Sequence, residues 1–326
     1  QNVWTTYPLL LDCRGMVIQK NGTVIAKPLR TFFNLGEHGV SISHLSSLGV
    51  PEVTVKKDGS MITLFMYHGK VRCATRGTLD SIQALYAYKL IDEKYPQLQE
   101  HLDSSLTYVL EIVYPENRGP DSRLIVDYGD TEELILLGVV DTSTGKEYGY
   151  EMMKKWGETL QIPFIPLVET EEWTSLKNKE VPNFEGYVLY WPDSNMRIKV
   201  KLGPYLRMNH LIGNQTEKNV WEMLQSGDDF GSLKDLVSGN VLMDIEAKKN
   251  DLIQKYTTYE TEILRVLTLI KDNHGDITHS KNRKEVIGWV KKEFPQIQYI
   301  VLFILLASKD TSNWRQLVWK LIDPKK

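Results

Sequence analysis

Residues 53–59 read Val53-Thr54-Val55-Lys56-Lys57-Asp58-Gly59. The β-branched run predicts a strand, and the Asp-Gly that follows predicts a tight turn. A strand period of two puts Val53, Val55 and Lys57 on one face and Thr54 and Lys56 on the other. With the valines in a core, Lys56 stands at the mouth of a pocket on the polar face. A lysine is a poor nucleophile at its ordinary pKa of about 10.4, and burial or neighbouring cations can lower that value. Taken alone, the same residues also describe the tip of a surface hairpin, so the surrounding pattern has to decide.

That pattern is mostly strand up to about Tyr205. Short apolar or alternating runs occur at 16–18, 61–67, 107–113, 134–140, 187–191 and 196–201, besides the strand at 53–57. Asn21-Gly22, His68-Gly69 and residues 192–195 supply turns between them. Two helices are expected inside this half, at 80–92 and 150–159. Past about Gly213 the period becomes helical. Val241, Leu242, Ile245, Leu252, Ile253, Tyr256, Ile263, Leu264, Leu267 and Ile270 keep helix spacing through one long segment. Shorter helices are expected at 284–294, 296–307 and 312–322, with Pro295 breaking the first two apart. The expected class is α+β: a strand-rich, antiparallel-sheet domain over residues 1–212, then an all-α domain over 213–326.

Composition bounds the function. The 326 residues are 42% hydrophobic and 25% charged, with a net charge of −3. Those values exclude a disordered, collagen-like or disulfide-stapled chain, and the length predicts about two domains. The longest apolar run, residues 299–307, is far short of the ~20 residues that span a bilayer, so it is read as a buried helix. Cys13 and Cys73 are too few for a disulfide framework and too far apart for a CxxC metal site. No signal peptide opens the chain, and a reducing, cytoplasmic setting is expected. The chain begins at Gln1 rather than Met, which leaves room for a trimmed upstream segment. The last 52 residues hold ten Lys or Arg against five Asp or Glu, which fits either an RNA-holding surface or a solvated helix face. Nothing points to a membrane or to an obligate protein partner.

Several chemistries lose support because GxxxxGK[ST], GxGxxG, HExxH and GxSxG are all absent, and the seven histidines show no ligand spacing. Three other features carry chemistry. Arg197, Lys199 and Lys201 alternate with Ile198, Val200 and Leu202, so three cations line one strand face. Their mutual repulsion would be offset by an anion such as phosphate. Glu111 lies inside the apolar run Tyr108-Val109-Leu110-Glu111-Ile112-Val113 and needs a cation or a metal as partner. Glu185 opens Glu185-Gly186-Tyr187-Val188 just before the basic strand. Two strand carboxylates beside a triphosphate suit Mg²⁺, and a buried ion pair is the alternative for each.

The order of these features resembles the covalent nucleotidyltransferase superfamily of polynucleotide ligases and mRNA capping enzymes. Flanking residues narrow the likeness. Leu11-Asp12-Cys13-Arg14-Gly15, Pro28 with Phe32-Phe33-Asn34-Leu35, and Lys56-Lys57-Asp58-Gly59-Ser60 resemble RNA ligase 1 of T-even bacteriophages. So do Gln83-Ala84-Leu85, Leu136-Leu137 with Thr144-Gly145, and Phe184-Glu185-Gly186-Tyr187-Val188. The resemblance covers roughly residues 8–210, and the helical remainder matches that family's C-terminal domain only in class and size.

The resemblance implies ATP-dependent sealing of RNA 5′-phosphate and 3′-hydroxyl ends, with broken tRNA as the expected substrate. Lys56 is then the adenylated nucleophile and Lys57 is not, with Lys199 and Lys201 lowering the Lys56 pKa. Glu111 and Glu185 are implied for the nucleotide and for Mg²⁺ or Mn²⁺, Lys199 and Lys201 for phosphate contact and pyrophosphate expulsion. Arg14 is implied as the phosphate-site arginine, Gly59 as the point where backbone approaches the nucleotide. Val188 and Leu137 are expected against adenine, and Arg76 where this branch has a basic residue before glycine. Asn117-Arg118 fits a family Asn-Arg pair, and Arg123, before Leu-Ile-Val, fits nearly as well, so that position is open. Thr31 departs from the pattern, because the family reads Lys-Phe-Phe-Asn there. Arg30 or Lys27 would have to replace that charge, or the phosphate site is weaker. A DNA ligase or capping enzyme would carry a β-rich domain after the basic strand, which the helical period opposes. A self-adenylating RNA-end-binding protein that does not seal is the other alternative.

Overall fold

In the computed structural model, residues 6–115, 124–170, 172–237, 239–274, 283–306 and 313–324 are described. The chain divides into two compact units, Gln1–Asn209 and His210–Lys326.

The first unit is built on two four-stranded sheets. The opening elements are α1 (Leu10–Cys13), β1 (Val17–Ile18), β2 (Val24–Ala26), β3 (Phe33–Asn34) and α2 (Ile42–Ser46). They are followed by β4 (Glu52–Lys56), β5 (Ser60–Tyr67), β6 (Lys70–Ala74), α3 (Ile82–Lys94), α4 (Leu98–His101) and β7 (Leu106–Val113). The unit continues through β8 (Glu133–Asp141), α5 (Tyr150–Leu160), β9 (Gly186–Trp191) and β10 (Met196–Lys201) into α6 (Gly203–Gly213), within which the division falls. One sheet has the order β3-β10-β9-β4 and the other β6-β5-β7-β8; β1 and β2 form a separate ribbon. All pairings are antiparallel except β3 with β10, which is parallel.

The Lys-Lys-Asp-Gly turn is not a hairpin tip. It leads from β4 in one sheet to β5 in the other, and the two strands do not pair. A true hairpin joins β5 to β6, where His68 and Gly69 have φ of 50° and 70°, as a two-residue turn between right-twisted strands requires. Each sheet buries one face. Ile62, Leu64, Tyr108, Leu110, Ile112, Leu134 and Leu136 pack with Ala84, Ala87 and Leu90 of α3 and with Met153 and Leu160 of α5. Val53, Leu189, Trp191, Ile198 and Val200 form the second core with Leu45, Trp173 and Leu176. Period-two alternation therefore turns the remaining faces, which carry Lys56, Lys199 and Glu111, away from both cores.

The second unit is helical: α7 (Glu217–Ser226), α8 (Leu233–Leu236), α9 (Gly239–His274), α10 (Arg283–Glu293), α11 (Gln298–Leu306) and α12 (Trp314–Leu321). Ile263, Val266 and Ile270 of α9 pack with Val286, Val290, Ile300, Val301, Trp314 and Val318. α7 was not expected, since its apolar stripe is only Val220, Trp221 and Met223. The apolar run at 299–307 was expected to be a buried helix; its described residues lie in α11, with Ile300 and Val301 buried, residues 302–306 partly buried against the same core, and Tyr299 67% exposed. Among the described residues no helix is long and apolar enough to cross a membrane.

Candidate active site

The register of β4, β9 and β10 places three rows on the face opposite the second core. They are Glu52–Tyr190–Arg197, Thr54–Val188–Lys199 and Lys56–Gly186–Lys201. Gly186 belongs in the last row because an added Cβ would sit 1.9 Å from the Val200 carbonyl oxygen. A cavity of about 230 Å³ opens between this face and the Met61–Val109–Glu111–Leu137 side of the other sheet. It is lined by Arg14, Lys56, Gly59, Arg76, Glu111, Leu137, Val188 and Lys199, eight of the ten candidate residues.

The other two join through charge. Glu185 is 2% exposed and lies between two lysines, 2.7 Å from Lys56 Nζ and 3.1 Å from Lys201 Nζ. Lys201 is thus tied to Glu185 instead of standing in the cavity wall. Arg197, the third cation of the strand, is bound by Glu147 at 2.8 Å. Lys199 alone of the three has no carboxylate within 4.0 Å among the described residues, and its Nζ lies 4.6 Å over the Phe32 ring. Burial, then Lys56, Arg76 and Lys201, bring its pKa down to about 8. A buried lysine without a counter-ion is a ready anion site.

Lys56 corrects one expectation. Burial pulls its pKa down, but Glu185 and Glu111 outweigh that and hold it above the ordinary lysine value. Lys199 and Lys201 do not win, because Glu185 neutralises Lys201 and two carboxylates face Lys56. Glu111 is 8% exposed, and burial, opposed by Lys56 and reinforced by Glu185 and Asp58, raises its carboxyl to about 7. It forms no ion pair within 4.0 Å among the described residues. Arg76 faces Arg14, so its pKa falls through burial first and that like charge second.

Gly59 lines the cavity and also makes a close contact of its own. A Cβ there would lie 2.5 Å from the Ile112 carbonyl oxygen and 2.9 Å from Glu111 Cγ, so the glycine lets the turn press against β7. Asp58, which sequence reasoning treated only as a turn former, is 7% exposed. Its Oδ2 accepts from the Ile125 and Val126 N–H groups at 2.7 and 2.9 Å, and its Oδ1 from the Tyr205 hydroxyl at 3.1 Å. Its position inside Lys-x-Asp-Gly was the only available signal, since those partners are distant in sequence. Thr31 and Arg30 line the cavity, with Arg30 Nε 3.6 Å from Asp12 Oδ2. Lys27 does not line it; its Nζ sits by Gly145. Asn117, Arg118 and Arg123 lie outside the described residues.

The donors suit a hard cation shared with phosphate. Glu111 and Glu185 are oxygen donors beside a cationic wall, and no group of three or more His, Cys, Asp or Glu among the described residues forms a protein-only cage.

A family model described as RNA ligase matches residues 12–206, well over half of the chain. A provisionally named RNA ligase of Thermovibrio ammonificans is 30% identical over 188 residues, covering 56% of this chain and 47% of its own length. A provisionally named bifunctional polynucleotide kinase/RNA ligase of Autographa californica nuclear polyhedrosis virus is 26% identical over 239 residues, covering 62% and 31%. The chain thus spans about half or less of the length of these curated relatives. Among solved structures, a Naegleria gruberi RNA ligase with PPi is 17% identical, overlaps 51% of this chain and 53% of its own, and has a TM-score of 0.42. The family match runs from Asp12, beside Arg14, to Leu206, past the whole basic strand, and with it the chain belongs to the RNA ligase 1 family.

Proposed function

We propose that this protein is an ATP-dependent ligase that joins RNA 5′-phosphate and 3′-hydroxyl ends through a covalent lysyl-AMP on Lys56. The observation that carries this reading is the convergence of Lys56, Glu111 and Lys199 on one cavity, with Glu185 paired to Lys56 at 2.7 Å behind its wall. First, neutral Lys56 Nζ attacks the α-phosphorus of ATP. A P–N bond forms, the bond to the bridging oxygen breaks, pyrophosphate leaves, and Nζ gives up a proton. Second, an RNA 5′-phosphate oxygen displaces Lys56 from AMP, and the lysine regains its proton. Third, the RNA 3′-hydroxyl attacks the 5′-phosphorus, loses its proton and releases AMP.

The residues divide this work by charge. Glu185 and Glu111 hold Lys56 in place and protonated, so its proton must leave before attack. A phosphate anion offsets the Lys199 charge that the described residues leave without an ion pair, and Arg14 and Arg76 line the same cavity. Val188 and Leu137 offer apolar contact to a base. Glu111 and Glu185 would hold Mg²⁺ or Mn²⁺, which when bound neutralises charge on phosphoryl oxygens. Broken tRNA in a cytoplasmic setting is the substrate the resemblance suggests, with the helical unit as the element that positions it.

Incubation with labelled ATP and Mg²⁺, peptide mapping of the adduct, and a chase with 5′-phosphorylated RNA test the reading. An AMP adduct on Lys56 that disappears as sealed RNA forms is expected. No adduct, or an adduct on another residue, refutes the proposed chemistry. An adduct that never reaches RNA leaves the self-adenylating end-binding protein.

A further inference from the structure

Besides Asp58, Glu111 and Glu185, a fourth carboxylate, Glu147, is buried next to residues that line the cavity. Glu147 has a side chain 3% exposed, and its backbone bridges Val140 at the end of β8. Its oxygens reach beyond that sheet. Oε1 accepts from the Arg30 backbone N–H at 2.8 Å, and Oε2 from Arg197 Nη2 at 2.8 Å. Arg197 belongs to β10 of the other sheet; its side chain is 11% exposed and its guanidinium lies 3.9 Å from the Tyr190 ring centroid. One carboxylate therefore links both sheets and the 30–32 segment.

That segment bears on the cavity. Arg30, Thr31, Phe32, Arg197 and Lys199 all line it, and Glu147 does not. Phe32 is flanked by Arg197 at 5.7 Å and by Lys199 at 4.6 Å. The Thr31 N–H donates to the Leu11 carbonyl at 2.8 Å, a second tether on the same segment. Glu52, the other carboxylate in the Arg197 row, accepts from the Tyr150 N–H at 3.0 and 3.1 Å and is not a substitute.

We propose that Glu147 is a positioning residue for nucleotide capture, holding the 30–32 segment and Arg197 where they line the cavity without touching the nucleotide. The inference rests on the reading of that cavity as the ATP site. Removing the Glu147 charge leaves the buried Arg197 guanidinium unpaired, a costly state that repacking or rotation toward a phosphate would relieve. Phe32 then loses one of its two flanks, and the wall it forms shifts. At metal sites, partners that orient the ligating side chains without touching the metal typically change affinity or activity by 10–100-fold, and the same scale is taken for Glu147. Arg197 is four residues from Lys201 on β10, about 13 Å along the strand, so the attacking group beside Lys201 is undisturbed.

The test is single-turnover adenylation against ATP concentration for wild type, Glu147→Gln, Arg197→Gln, the double variant and Phe32→Leu, with thermal unfolding of each. Glu147→Gln keeps an acceptor for the Arg30 N–H and removes the charge. It should raise the apparent KM for ATP about tenfold and leave the rate at saturation near wild type. Arg197→Gln should do the same, and the double variant should be no worse than either, because one link is being broken twice. Phe32→Leu should also raise KM, which keeps the inference open to refutation if Glu147→Gln does not fold. An unchanged KM in folded variants, a fall in the saturating rate alone, or additive losses in the double variant would overturn it. Failure of the wild type to bind ATP, measured by calorimetry, overturns the nucleotide reading itself; wild-type binding with unaffected variants overturns only the role of Glu147.

Discussion

Replacing Lys199 by methionine should make the ligand-free protein more stable at neutral pH while weakening its hold on ATP. The reason lies in the basic strand. Arg197 and Lys201 are ion-paired with Glu147 and Glu185, whereas partly buried Lys199 has no carboxylate within 4.0 Å among the described residues. Its pKa falls from an ordinary 10.5 to about 8 through burial first, then Lys56, Arg76 and Lys201. At about 1.4 kcal/mol per tenfold change in proton affinity, the ceiling on the cost to the folded state is about 3 kcal/mol. Partial exposure and solvent screening reduce that to roughly 1–2 kcal/mol. Methionine keeps the length of the stem and its packing on Phe32. The sign follows from linkage. Between pH 8 and 10.5 the unfolded chain holds a proton that the folded chain has shed, so stability rises with pH across that window. The penalty is complete below pH 8 and fades toward 10.5. Urea unfolding of both proteins at pH 7 and pH 10 should show the methionine variant ahead at pH 7 and a smaller gap at pH 10. Adding ATP at 100 times its Kd should stabilise the wild type by about 2.7 kcal/mol and the variant by much less. A variant less stable than wild type at pH 7, or a gap that does not change with pH, would refute the account of Lys199 as a strained anion site.

Lys56→Ala should abolish the AMP adduct, while Lys57→Ala, which removes an ammonium 5.0 Å over the Tyr128 ring, should retain it in mass mapping. Glu111 at about 7 predicts opposite effects on stability and on metal use. Between pH 4.5 and 7 the folded chain keeps a proton that the unfolded chain sheds, so this group makes stability fall as pH rises. Mg²⁺-dependent adenylation should rise through the same region as the carboxylate ionises, and Glu111→Gln should flatten both profiles; an unaltered stability slope would count against the shift. Arg30→Ala should raise the KM for ATP or for 5′-phosphorylated RNA and Thr31→Lys should lower one of them, because both positions line the cavity. Lys27→Ala should be neutral in both adenylation and sealing, and a loss there equal to that of Arg30→Ala would show that the segment rearranges on binding.

Much of the site was legible along the chain because it is built on strands. Period-two alternation alone puts Lys199 and Lys201 on one face of 196–201, a strand whose bounds match those of β10. The same rule separates Lys56 from Val53 and Glu111 from its apolar neighbours. Long, strongly patterned segments such as α9 and β7 were readable for the same reason. Short elements were not. β3 is two residues long, and its parallel pairing with β10, which brings Thr31 and Phe32 to the cavity, has no local signature. For the run at 299–307 composition reported the helix but not the depth of burial, which depends on how much neighbouring surface covers each residue: Ile300 and Val301 are buried, residues 302–306 only partly.

The order Lys56, Glu111, Glu185 and Lys199, with the flanking motifs from Leu11 to Val188, was enough by itself to point to the family and the fold class. Charge pairing was decided only in three dimensions. Two alternating lysines look equivalent in sequence, yet Glu185 pairs with Lys201, and Lys199 has no carboxylate within 4.0 Å among the described residues. Lys56 looks activated by neighbouring cations, yet two carboxylates hold its proton on. Glu147 carries no motif and faces the cavity through Arg197 and the Arg30 N–H, fifty and 117 residues away. Electrostatic interactions depend on distance through space and on burial, and neither quantity exists until strands far apart in the chain are brought side by side.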